Sequence, residues 1–348
     1  TLYGKTKTER QQRLIKAQGA VLSGQYFDPT QITVKQWFDT WFKEYMVGKR
    51  APKTVEGHAN NINNHILPAI GDQKLRDLKG YTLQKLYNEL ERKYSARTVQ
   101  LVHTTLNTAL KQAIRNDLIQ MNAASKCVLP KHIQKKSRAL SLNEQKRFVE
   151  AIKGTKFELV FLLCLYAGLR RGEVLALQWK DIDFDHMQIN INKTVARVKV
   201  FSHDNPDGIG QKVVKDPKSK SSNRVIPLAE NLVPIIKEQR KRMLELKLSR
   251  GPGFNAEDYL FTDLSGNVLD GNRVSKHFQK LSEKILNEPA TIHSLRHTFA
   301  TRGAESGVSL KVMQELCGHS KIDITADIYT HISSEYKKQE FSKMNVIL

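Results

Sequence analysis

Acid, cysteine and long apolar runs are what this sequence has least of, and each shortage narrows the field. The longest apolar run, FELVFLLCLYAGL (157–169), is broken by Gly168 and followed by Arg170 and Arg171. It is too short to span a bilayer and reads as a buried helix. The three cysteines, Cys127, Cys164 and Cys317, lie far apart and form no CxxC pair. An odd, scattered set is no disulfide framework, which fits a reducing, intracellular setting. Cys164, inside the apolar run, reads as a small core residue. No signal-peptide pattern opens the chain. It starts with Thr1 rather than Met, as a processed product or an expressed fragment would. There is no internal repeat.

The shortage of acid is the most informative. Against 56 lysines and arginines stand 35 acidic residues, a net charge of +21. A polyanion is the natural partner, because each phosphate neutralised by a cation releases condensed counterions. Nucleic acid is favoured over mere basicity because the charge is spread along the whole chain. No single basic amphipathic helix stands out, which disfavours an anionic membrane surface. The 348 residues, 40% of them hydrophobic, suffice for two or three domains with true cores.

The pattern along the chain predicts a mainly α protein with a small antiparallel β-sheet. Residues 1–30 are polar and basic, with a short helix at 7–22 ended by Gly24 and Pro29, and read as an appendage or linker. Residues 31–125 carry four amphipathic helices. The first has Val34, Trp37, Phe38, Trp41, Phe42 and Tyr45 at helical spacing, a stripe read as core rather than as a base-stacking platform. The others fall at 53–71, around Leu83–Leu90, and at 95–119. Residues 126–139, KCVLPKHIQKKSRA, are basic and aperiodic, a linker. A second domain, 140–330, opens with a capping box at Ser141 and Glu144. β-branched stretches at 187–191, 196–201, 211–214 and 223–228 predict the sheet, and helices resume from 231. Residues 331–348 form a tail.

Four stretches of the second domain set polar groups among apolar ones. In AGLRRGEVLAL (167–177), Arg170 and Arg171 interrupt a buried pattern. Arginines there need an anion, which Glu173 supplies on a structural reading and a phosphate on a functional one. In DPKSKSSNRVIPL (216–228), Lys218 and Lys220 fall in a turn read as the tip of a hairpin, and this stretch alone supports only a solvated loop. In HSLRHTFATRG (293–303), one helical turn puts His293 and Arg296 on one face. His293 and His297 have a metal-ligand spacing, but no carboxylate or cysteine stands near to complete a site, so metal is disfavoured. In LCGHSKIDITADIYTH (316–331), Gly318 ends a helix, His319 begins a turn, and Tyr329 follows. Taken alone, Tyr329 reads as an amphipathic side chain at the edge of a core.

The set as a whole reads differently. Two guanidiniums can stabilise charge on a phosphoryl group in transit. A tyrosine hydroxyl can be a covalent nucleophile, although its pKa near 10 demands a base or a strong positive field. Histidine can take its proton or bond a phosphoryl oxygen, and lysine can protonate a leaving alkoxide. Such a set suits transesterification at a DNA phosphodiester through a phosphotyrosine.

In their order, GLRRGE, HSLRHTFAT, CGHS and DIYTH resemble the boxes of the tyrosine recombinases, the lambda-integrase-like enzymes, and in particular integrases of phages and conjugative transposons. The resemblance covers about residues 30–348. It implies a helical, SAM-like core-binding domain (31–125), a linker (126–139) and a catalytic domain of mixed α/β type (140–330). It also implies roles by position: Arg170 and Arg296 as catalytic arginines, His293 beside them, His319 on the scissile phosphate, and Tyr329 as nucleophile. Lys218 would be the general acid, with Lys220 as its rival. Arg171 would make structural contacts, and Glu173 would support the fold or the site. Cys317 stands where the family usually has leucine. The resemblance further implies double-stranded DNA as partner, a homotetramer on paired crossover sites, an accessory DNA-bending protein or excisionase, and bacterial cytoplasm as location. It implies no cofactor and no metal, because the covalent link conserves the bond energy. The tail, with Phe341, Met344, Val346 and Ile347, would dock on a neighbouring subunit or back on its own. An arm-binding domain would precede residues 1–30. Competing readings are a type IB topoisomerase-like enzyme, a DNA-binding regulator without catalysis, and a metal-dependent nuclease.

Overall fold

The computed structural model describes residues 11, 31–133, 138–216, 223–322, 325–326, 329 and 341–342. The helix expected at 7–22 lies outside them apart from Gln11, as do Lys218, Lys220, Ile324, Ile328 and the tail apart from residues 341–342. By its contacts the chain divides into two units, Thr1–Gln134 with Lys199–Gly210, and Lys135–Val198 with Gln211–Leu348.

Thr33 starts the helical part of the first unit. Its hydroxyl accepts from the backbone N–H of Gln36, and the Gln36 side chain accepts from the backbone N–H of Thr33 at 2.9 Å, so each group satisfies a donor that the helix start leaves open. Helix α1, Val34–Trp41, runs on through a π-helical turn at Phe42–Met46. Trp37, Phe38 and Trp41 are buried, and the Trp37 indole N–H donates to the Ala109 carbonyl at 3.1 Å. Trp37, Phe38 and Trp41 of the aromatic stripe are therefore core, while Phe42 and Tyr45 are half-buried at its edge. Helix α2, Pro52–Asn61, has proline in its first turn, where a missing N–H costs nothing. It continues through Ile62–Ile66 and Leu67–Ile70. Helices α3, Gly80–Glu91, and α4, Ala96–Arg115, close the bundle. The Ser95 side chain caps α4 by accepting from Thr98 N–H. Lys199–Gly210 belong to this unit because Phe201 packs edge-on against Phe42, with ring centroids 5.2 Å apart.

In the second unit, Ser141 and Glu144 form the expected capping box at helix α5, Leu142–Ile152. Arg138 donates to both Glu144 oxygens, at 2.9 and 3.0 Å, and holds that carboxyl down to about 2. Helix α6, Glu158–Tyr166, is buried from Leu159 through Leu165, apolar all round as a central helix must be. A short helix α7, Arg171–Ala176, follows.

The strands are β1 (Ile182–Asp183), β2 (Gln188–Ile191), β3 (Thr194–Val200), β4 (Ile209–Lys215) and β5 (Arg224–Pro227). They form two sheets where the sequence pattern predicted one: β1–β2–β5 and β3–β4. Strands β2 and β5 pair antiparallel, Ile189 opposite Ile226. The strands that flank Lys218 and Lys220 thus pair with different neighbours, and β4 and β5 are not the two arms of a hairpin. Burial explains the split, because Ile189, Ile191 and Ile226 enter the main core while β4 stays half exposed.

Four α-helices whose bounds lie among the described residues follow: α8 (Val233–Arg250), α9 (Gly271–Ile285), α10 (Ile292–Glu305) and α11 (Leu310–Cys317). Helix α10 packs on α6. It carries His293 and Arg296 to the turn that follows α6, and α11 brings His319 to the same place.

Candidate active site

The turn between α6 and α7 is built on Gly168. Its φ of +63° favours glycine, and a Cβ there would lie 2.4 Å from Cδ1 of Phe299 on α10. Only a residue without a side chain lets the turn pass this close to α10. Arg170 then caps α7, its backbone N–H donating to Oε2 of Glu173 at 2.9 Å.

Glu173 is the hub of the site. It is 4% exposed and takes donors from two arginines, with a third nearby. Arg170 Nη1 donates to Oε1 at 2.7 Å. Arg224 donates through Nη2 to Oε2 at 2.9 Å and through Nη1 to Oε1 at 3.2 Å. Arg296 Nη1 lies 3.9 Å from Oε2. Burial alone would raise the Glu173 carboxyl, but the hydrogen bonds and charges of Arg224 and Arg170 outweigh it and hold the group below its usual value.

The arginines are also tied to main-chain carbonyls. Arg296, 2% exposed, donates from Nη1 to Gly168 O at 2.6 Å and from Nη2 to Cys317 O. Arg170 Nη2 donates to Gly318 O at 2.8 Å. Arg224 Nε donates to Leu316 O at 2.8 Å. Three guanidiniums thus hold three successive carbonyls of the turn that presents His319. A guanidinium has five N–H groups, and neither Arg170 nor Arg296 uses them all in these contacts. Arg296 Nε is buried with no acceptor among the described residues. Burial lowers Arg296 to about 10, in spite of the opposing Cys317 and Glu173, which leaves it cationic at neutral pH.

His319 is buried, and its Nδ1 lies 2.9 Å from the Thr325 hydroxyl. Burial, then the charges of Arg296 and Arg170, push it to about 3, so its ring is neutral at neutral pH. His293 is exposed at its surface, yet packed closely enough that desolvation, then Arg296 and Arg170, lower it as well. The fold therefore brings Arg170, Arg296, His293 and His319 together from three separate stretches.

Tyr329 stands differently. Its hydroxyl donates to the carbonyl of Val308, and its ring packs on the small cluster of Ala300, Met313 and Cys317. Cys317 is thus a packing residue, fully buried. Arg171 turns away from Glu173 and donates from Nη1 to Gly271 O at 3.1 Å and to the Ser275 hydroxyl. Among the described residues, no three His, Cys, Asp or Glu side chains gather as a metal-ligand set, and no helix is long and apolar enough to cross a membrane.

Residues 138–335 match the phage integrase family, and residues 33–91 match the N-terminal SAM-like domain of phage integrases. A XerC-like tyrosine recombinase of Caldanaerobacter subterraneus is 30% identical over 355 residues, which covers 99% of this chain and 90% of the relative. The chain belongs to the phage integrase family. It is a tyrosine-type site-specific DNA recombinase, of the kind that serves phages and mobile elements. The transposase of transposon Tn916 from Enterococcus faecalis is 28% identical over 269 residues, 73% of this chain and 63% of the relative. Among solved structures, the Tn1549 transposon integrase in complex with transposon right end DNA aligns with a TM-score of 0.71 at 22% identity, over 90% of this chain and 100% of that one. A lambda integrase tetramer bound to a Holliday junction aligns at 0.64 and 18% identity, over 94% of this chain and 88% of that one. These structures share the fold, mainly helical with small antiparallel sheets.

Within this recombinase, Arg224 is the site residue that the sequence reading missed. The sequence pattern places it only in the β-branched stretch 223–228. A signal was there. Side chains alternate along a strand, so Arg224 shares the inward face with Ile226. A charge on that face, with buried Ile226 two residues on, calls for an acidic partner.

Proposed function

We propose that this recombinase cuts and rejoins double-stranded DNA through Tyr329. The Tyr329 oxygen leaves the Val308 carbonyl, gives its proton to neutral His293 and attacks the scissile phosphorus. A phosphorus–oxygen bond to tyrosine forms as the bond to the 5′-oxygen breaks, giving a 3′-phosphotyrosine and a 5′-hydroxyl. Lys218, with Lys220 as its rival, donates the proton that the 5′-oxygen takes up. The 5′-hydroxyl of a partner site then returns its proton to the lysine as it attacks the phosphotyrosine, and the tyrosine oxygen departs with the proton held by His293. Arg170 and Arg296 bind the non-bridging oxygens, where charge builds in the transition state. Neutral His319 hydrogen-bonds a phosphoryl oxygen through Nε2–H, the tautomer in which Nδ1 accepts from the Thr325 hydroxyl 2.9 Å away. His293 completes the set on the exposed side.

The observation that carries this reading is the convergence of Arg170, Arg296 and His319 on one turn, with donor groups of both arginines to spare. The net charge of +21 supports DNA as the substrate. Two paired sites imply a tetramer, a reading that the lambda integrase tetramer on a Holliday junction supports. The tail would dock on a neighbouring subunit or in its own, an accessory DNA-bending protein would set direction, and the reaction would run in the bacterial cytoplasm.

Covalent capture tests this. A pool of nicked duplexes with randomised sequence is incubated with the protein, and detergent-resistant adducts are isolated and sequenced. The reading expects an enriched sequence and recombinant joints between two copies of it. Relaxation of DNA without joints would assign a monomeric topoisomerase instead, and no adduct at all would sink the chemistry.

A further inference from the structure

We propose that Arg224 is a positioning residue for strand cleavage, which neutralises Glu173 so that Arg170 and Arg296 bring their full charge to the scissile phosphate. The inference rests on the reading above and adds a residue to it.

Three features of the geometry carry it. Glu173 is the carboxylate enclosed by the three guanidiniums, and it lies against both proposed phosphate-binding arginines. A buried carboxylate so close to a cation cancels much of its field, because little water screens the pair. Left to itself, Glu173 would weaken the charge that the site needs. The strongest claim on it, however, belongs to Arg224. That side chain is 7% exposed and grips both oxygens, whereas Arg170 has one side-chain contact and Arg296 stands 3.9 Å away. Two parallel N–H···O contacts make the fork the preferred partner of a carboxylate. Finally, Arg224 Nε holds Leu316 O, two residues before Gly318 and three before His319. One side chain on β5 therefore sets both the charge at Glu173 and the position of the turn bearing His319.

The charge balance gives the reason for such a device. Three guanidiniums and one carboxylate leave two positive charges, with both nearby histidines shifted toward neutrality. A phosphodiester carries one negative charge, and its transition state approaches two. Without Arg224 the charge of this cluster would fall from two to one, leaving less to offset the second negative charge that builds in the transition state. Losing Arg224 should thus slow the chemical step while leaving DNA binding in place.

The test uses the duplex obtained by covalent capture and measures cleavage at saturating DNA, beside DNA affinity and thermal midpoint. Arg224→Met should cleave about 100-fold more slowly, the scale of losing one transition-state donor, with DNA affinity within about threefold of the parent. Adding Glu173→Gln to Arg224→Met should restore cleavage about tenfold or more, because a neutral amide no longer draws on Arg170 and Arg296. Arg224→Lys, which keeps the charge and loses the fork, should fall between parent and Arg224→Met, and it decides the matter if Arg224→Met folds poorly. A role in packing alone predicts that the double variant is no better than Arg224→Met, and that result overturns the proposal. So does Arg224→Met cleaving like the parent. An unaltered protein that forms no adduct refutes the chemistry on which the proposal rests, and is thereby told apart from a failure of Arg224 alone.

Discussion

Gly168→Ala should damage the site and the fold by an amount that the structure allows to be worked out. The backbone there has φ +63°, a conformation that costs an L-residue about 1–2 kcal/mol. The new methyl would also sit 2.4 Å and 2.7 Å from two atoms of the Phe299 ring. Phe299 is half-buried against the cluster of Ala300, Met313 and Cys317, so its ring can yield only partly, and overpacking of this kind costs about 1–3 kcal/mol. Together the loss is about 2–5 kcal/mol, enough to lower the midpoint of a unit of this size by roughly 5–15 °C. Cleavage should fall further than stability, because Gly168 O accepts from Arg296 Nη1 and the turn leads directly into Arg170. The assay is thermal unfolding paired with cleavage at a temperature where both proteins are folded. Placing Gly168→Ala in a Phe299→Ala background separates the two terms. The steric part should vanish, leaving about 1–2 kcal/mol of backbone cost. A Gly168→Ala protein within about 0.5 kcal/mol of the parent, the range of an ordinary surface change, would refute the reasoning about this turn.

Other expectations follow from the same site. Arg170→Lys should bind DNA normally and cleave about 100-fold more slowly, since lysine offers a point charge where the fork made planar contacts; equal losses of binding and cleavage in a filter assay would argue against it. His319 has a folded pKa of about 3 against 6.5 unfolded. Between those values the unfolded chain takes up a proton that the folded one refuses, so stability rises with pH across the window and falls on acidification. Lowering pH from 6 to 5 should cost the free protein about 1 kcal/mol through this group, and His319→Gln should flatten the slope in urea titrations. Lys218→Ala and Lys220→Ala should both be tested on DNA with a 5′-sulfur leaving group, which needs no proton. Only the variant lacking the true general acid should recover its cleavage rate on that DNA.

Much of this was legible in the sequence because it is local. The stripe of Trp37, Phe38 and Trp41 follows helical spacing, and Ser141 with Glu144 is a contiguous cap. Arg170, His293, Arg296 and His319 lie in short boxes whose order resembles that of the tyrosine recombinases. What escaped depends on partners distant in the chain. Arg224 meets Glu173 across 51 residues, and nothing near Arg224 names that partner. The pairing of β5 with β2 rather than β4 is decided by which isoleucines the core can take. The hydroxyl of Tyr329 meets a carbonyl 21 residues upstream, and helical spacing around the tyrosine carries no trace of it. The motif singles out Tyr329, and only the fold shows that its hydroxyl meets the Val308 carbonyl.

In the proposed reaction Tyr329 becomes covalently joined to DNA. Adducts from the captured duplex, digested with trypsin and nuclease, should yield one modified peptide, and mass spectrometry should place the nucleotide on the Tyr329 oxygen. Tyr329→Phe should bind the same duplex within about twofold and form no adduct, because it loses a hydroxyl and no charge. A nucleotide found on another side chain, or an adduct that persists in Tyr329→Phe, would contradict the account.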